Sequence, residues 1–179
     1  LTLQQVATIH VRVHPGVAAT ALHLLNAFLG VAAPSEVVRF AEATLAIHLT
    51  RPFHKALTVA AFNVLTTIFD TAGTAEHPLL QGLVSDVEDA VVEVLHAVTH
   101  QGTKAPKAAS VEIAGAALGL AAALLGSAPD DSDGDLGGLY ALGDVLDKCA
   151  DLPEAKDVLA FIKDADNDDA RLTTALCAL

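Results

Sequence analysis

Glu93, His96 and His100 have the clearest metal-ligand spacing in this sequence. Glu-x-x-His is one half of a di-iron carboxylate site in four-helix bundles, and histidines at i and i+4 can share one metal. A complete di-iron site needs a second Glu-x-x-His and two more carboxylates on facing helices. The chain holds no second copy. The same three residues also read as a solvated helix stripe, with acids toward the N-terminal end and histidines toward the C-terminal end, as the helix dipole favours. We therefore expect no bound metal and no cofactor. His10 and His14 repeat the i, i+4 spacing, but a helix would have to run into the residue before Pro15, which proline disfavours.

Two acidic stretches imitate calcium loops. Asp131, Asp133 and Asp135 occupy the first three ligand positions, but Leu136 replaces the sixth-position glycine and Leu142 the twelfth-position glutamate. Asp164, Asp166 and Asp168 fail in the same way, at Asp169 and Ala175. A solvated loop at 127–136 and a helix cap at 166–169 are the simpler readings. The sequence has no G-x-S-x-G, no Gly-rich phosphate loop and no supporting Cys–His arrangement, so nothing points to nucleophilic catalysis. We expect no enzyme. Cys149 and Cys177 lack metal or redox spacing and read as reduced thiols of a cytoplasmic protein.

Helices must position whatever acts here. The 179 residues are 53% hydrophobic but only 4% aromatic, so Ala, Leu and Val have to do the packing, and Ala and Leu are the strongest helix formers. Pro15, Pro34, Pro52, Pro78, Pro106 and Pro153 each precede an apolar-periodic run and read as helix starts. The pattern predicts helices at about 2–11, 15–29, 34–49, 52–70, 78–100, 106–126, 137–149, 153–164 and 167–179. In the 78–100 stretch Leu80, Val84, Val87, Val91, Val94 and Val98 form an apolar seam, opposite a wet face of Gly82, Asp86, Asp89, Glu93, His96 and His100.

The 106–126 stretch is different, because Ile113 to Leu125 carries no polar side chain. A helix apolar all round is expected to be buried on all sides. Gly115 and Gly119, each costing roughly 1 kcal/mol against Ala in a helix, imply close packing there. This stretch is expected to be the centre of the fold. The uncharged run is shorter than the ~20 residues of a bilayer span, and Glu112 falls inside any longer window.

Net charge is uneven. Residues 1–69 hold four basic residues (Arg12, Arg39, Arg51, Lys55) and two acidic ones (Glu36, Glu42), while the remainder holds six basic and twenty acidic. So acidic a chain is a poor match for nucleic acid, where phosphate contacts dominate affinity.

Three Ala-rich helices after prolines, 16–30, 54–69 and 107–126, share one pattern and alternate with more amphipathic ones. In this the chain resembles armadillo and HEAT-type repeat proteins. The inner helix of an armadillo repeat reads Ala, Leu four on, Asn two further, then Leu. Leu24 and Asn26 fit, with Thr20 and Ala27 departing. Asn63 and Val64 fit the end of the pattern, with Leu57 and Ala61 departing, and the third helix has no Asn. The resemblance implies an α-solenoid, a binding surface on the Ala-rich inner helices, Asn26 and Asn63 as contacts to a partner's backbone, and no catalysis. The resulting expectation is a single all-α domain over 1–179, a fragment of a longer repeat array. It would bind an acidic or amphipathic helical segment of a protein partner through Asn26, Arg39, Arg51, Lys55 and Asn63. A closed helical bundle around a small apolar ligand or a metal ion is the competing architecture.

Overall fold

Thr2 starts the first helix with a reciprocal cap: its Oγ1 accepts from the Gln5 N–H, and Gln5 Oε1 accepts from the Thr2 N–H. The helix it opens, α1, is Leu3–His10. Pro15 opens α2 (Pro15–Phe28), which tightens into a 3-10 turn at Leu29–Val31. Pro34 opens α3 (Pro34–Thr50) and Pro78 opens α5 (Pro78–Thr99). Between these lies α4 (Lys55–Ala72), and α6 is Ala108–Ser127. The computed structural model describes residues 2–72, 78–99 and 108–127. The helices expected at 137–149, 153–164 and 167–179 lie outside the described residues, as do both acidic stretches. The described chain is all helix and contains no strand.

Pro52 does not begin a helix. Arg51 leaves the helical conformation (φ −149°, ψ 68°), the Thr58 hydroxyl donates to the Pro52 carbonyl at 2.7 Å, and His54 Nδ1 accepts from the Leu57 N–H at 3.4 Å. These bonds hold residues 51–54 as a turn and shift the helix start to Lys55.

The helices pack as consecutive pairs: α1 on α2, α3 on α4, α5 on α6. Across the pairs, α3 touches both α1 and α5, while α4 touches both α2 and α6. Odd helices thus succeed one another on one side and even helices on the other. The first pair makes no substantial contact with the third among the described residues.

This arrangement places α4, not α6, at the centre. Leu57, Phe62, Leu65, Ile68 and Phe69 of α4 are all buried. On α6, Leu118, Leu120 and Leu124 are buried, but Gly115, Ala116, Gly119 and Ala122 are only half-buried. A Cβ added at Gly119 would meet nothing within 4 Å. The expected all-round burial, and the close packing expected at Gly119, are therefore corrected. A uniformly apolar helix carries no periodicity to reveal its open side, and small residues leave that side cheap to expose. The seam on α5 is as expected: Leu80, Val87, Val91 and Val94 are buried, Val84 and Val98 half-buried, and Gly82, Asp86, Asp89, Glu93 and His96 exposed.

Candidate partner-docking site

Two turns meet at one end of the helix pairs, that joining α1 to α2 and that joining α3 to α4. Arg12 sits in the first, where α1 has run out and His14 precedes Pro15. Arg51 sits in the second as the residue following α3. A guanidinium N–H of Arg51 (Nη2) donates to the Arg12 carbonyl at 2.8 Å, across 39 positions of sequence. That bond uses one of five N–H donors on the planar group. Among the described residues neither guanidinium has a carboxylate partner.

Between them lies an open hollow of about 600 Å³, lined by Arg12, Ala46, Leu49, Thr50 and Arg51. The Thr50 hydroxyl donates to the Ala46 carbonyl within its own helix. The donors left for a guest are therefore cationic, and the floor from Ala46 and Leu49 is apolar. Leu49 and, in the adjoining turn, Phe53 are about half exposed. His10 and His14 flank Arg12 with their rings 5.8 Å apart. Such a hollow suits a carboxylate carried next to an aliphatic group, since guanidinium matches carboxylate in both charge and fork geometry.

The other residues singled out from sequence are placed differently. Lys55 stands at the start of α4, where its Nζ is 2.7 Å from Glu112 of α6. Arg39 pairs with Glu36 on α3 at 3.5 Å, twelve residues before Arg51, hence about 18 Å away along the helix axis. Asn26 and Asn63 are half-buried. Among the described residues Asn26 Oδ1 is enclosed without a partner, and the Asn63 backbone carbonyl accepts from the Thr67 hydroxyl. Leu24, at the Leu position of the repeat-like pattern, is exposed, whereas its neighbours Leu22 and Leu25 are buried.

Glu93 and His96 are exposed on α5, and His100 lies outside the described residues. Among the described residues no group of three or more His, Cys, Asp and Glu side chains could hold a metal ion. No helix among them is long and apolar enough to cross a membrane.

Arg12 gave no signal of its own in the sequence beyond its charge. Its pairing with Arg51 depends on two turns brought together by the packing of α1 on α3. Comparison with known proteins adds nothing to this picture: no family model, no curated protein and no solved structure matches the chain.

Proposed function

We propose that this chain is a non-enzymatic interaction module of stacked helical hairpins, armadillo- or HEAT-like, that receives an acidic, amphipathic helical segment of a partner protein. The hollow between Arg12 and Arg51 carries this reading: two cationic groups without carboxylate partners among the described residues stand over an apolar floor, with Leu49 and Phe53 exposed beside them. An acidic side chain of the partner would meet the guanidinium groups, and an aliphatic side chain one turn away would cover Leu49. The architecture is supported by the packing of each helix pair on the next in sequence, which is how solenoids build their cores.

Of the four cations in residues 1–69, this reading uses Arg12 and Arg51, while Arg39 and Lys55 stand beside Glu36 and Glu112. Steering by exposed charge acts mainly on association rate and its salt dependence.

The test is a titration of the full chain with a fluorescein-labelled synthetic helix bearing a Leu face flanked by Glu, at two salt concentrations. Arg12→Glu with Arg51→Glu should slow association at least tenfold and flatten the salt dependence, while Arg39→Glu should change little. Equal binding by the double variant, or no preference over a Leu-free Glu-rich peptide, would remove the hollow as the docking site. Small-angle scattering addresses the architecture: a compact unit of this length has a radius of gyration of about 16 Å, and a stacked array a clearly larger one.

A further inference from the structure

His10 ends α1, and His14 stands immediately before α2. From sequence, Pro15 is expected to spoil the helical spacing between them, and the structure corrects this. Val11 is helical (φ −52°, ψ −36°), and the His14 N–H donates to the His10 carbonyl at 2.7 Å, an i to i+4 bond. The dihedrals of residues 11–13 set that bond. Proline restricts only the residue before it, and His14 meets the restriction by leaving the helical region at φ −132°, ψ 70°. The turn closes first and the chain bends after it, so the two histidines remain neighbours one turn apart.

This turn brings the two rings together, with centroids 5.8 Å apart and planes tilted by 41°. An ion held by both imidazoles at about 2.1 Å, with a tetrahedral angle between them, places the centroids about 5 Å apart. A small side-chain rotation at each residue covers the difference. Among the described residues neither imidazole donates or accepts a hydrogen bond, and His10 is half-buried while His14 is exposed. No existing bond must therefore be broken to seat an ion. Arg12 lies two residues from each, and residues two apart do not face each other on a helical turn. His96 and His100 share the spacing, but His100 lies outside the described residues.

Imidazole suits zinc, copper and nickel, whereas calcium and magnesium take oxygen ligands. Among the described residues no third His, Cys, Asp or Glu completes a group, so water would fill the other positions on the ion. We propose that His10 and His14 form a two-histidine site for a divalent transition metal ion. The ion would span the turn that carries Arg12, whose carbonyl accepts from Arg51. It would thereby brace the meeting of the α1–α2 and α3–α4 turns. The site stands whether or not the hollow receives a partner.

Isothermal titration of the full chain with nickel, copper and zinc chlorides tests this, in a Cys149→Ser, Cys177→Ser background that removes competing thiols. The expected result is one nickel ion per chain, with copper bound more tightly than either nickel or zinc, and no saturable site for magnesium. His10→Gln and His14→Gln should each weaken nickel binding at least tenfold, and His96→Gln should leave it unchanged. Nickel should also raise the Tm of the parent but of neither variant, because an ion bound only to the folded state stabilises it. Circular dichroism identifies a variant that fails to fold, and the other single variant then decides. Absence of saturable nickel binding, binding indifferent to both variants, loss on His96→Gln instead, or magnesium bound as tightly as nickel would each overturn the site.

Discussion

His48 of α3 lays its imidazole against the Phe62 ring of α4, with the centroids 4.6 Å apart and the planes tilted by 46°. Both side chains are buried, and His48 Nδ1 has no hydrogen-bond partner among the described residues. Aromatic contact thus replaces hydration for a ring that must stay neutral to remain there.

That contact predicts acid sensitivity. Burial lowers the His48 pKa from 6.5 to about 4. As pH falls below 6.5 the unfolded chain takes up the proton first, so stability drops between pH 6.5 and about 4 and levels off below. The loss is of the order of 3 kcal/mol, from 1.36 kcal/mol per pH unit. Burial raises the Asp70 pKa and acts in the opposite sense, costing stability as pH rises through its range. Urea melts from pH 7.5 to 4 on the chain and on His48→Leu isolate the histidine, since Asp70 is common to both. Equal pH slopes for the two would show that His48 is not the sensor.

Thr44, one turn before His48, is also buried, and its hydroxyl has no partner among the described residues. Thr44→Val replaces an unpaired hydroxyl by a methyl of the same shape. It should raise stability by about 1 kcal/mol, because a stranded polar group costs about 1–3 kcal/mol. Denaturant midpoints decide the sign, and a loss of stability would mean that the hydroxyl is satisfied in solution.

Gly82 on α5 and Gly119 on α6 each face open space where a Cβ would stand. Gly82→Ala and Gly119→Ala should therefore each stabilise the chain by about 0.5–1 kcal/mol through helix propensity alone. Calorimetric melts check this, and a destabilised Gly119→Ala would restore the close-packing role expected of it from sequence.

Lys55 and Glu112 join α4 to α6 from half-exposed positions. A double-mutant cycle with Lys55→Ala and Glu112→Ala should return a coupling of about 0.2–1 kcal/mol that shrinks with added salt. Zero coupling in low salt would return Lys55 to the pool of cations open to a partner.

Most of the described helices were legible because Pro15, Pro34 and Pro78 mark the starts of three of them and a 3.6-residue rhythm runs behind each. Pro52 misled because the Thr58 and His54 side chains hold the following turn, and both bonds are invisible in a pattern of apolar positions. The exposed face of α6 was hidden by its uniformity. Arg51 was legible as a cation, but its pairing with Arg12 and the capture of Lys55 by Glu112 span 39 and 57 positions. Only tertiary packing brings them together.

The place of α4 also governs how the molecule comes apart. α2, α3 and α6 all rest on it, whereas among the described residues α1 rests mainly on α2 and α3. Amide protons of Phe62, Val64 and Leu65 can then meet solvent only when their neighbours on three sides have let go, while those of α1 are released by fraying of the first hairpin. Hydrogen exchange should follow that order, with α1 first and α4 last. A pull applied at the N-terminus should strip α1 away before it breaches the layer of α2, α3 and α6 around α4.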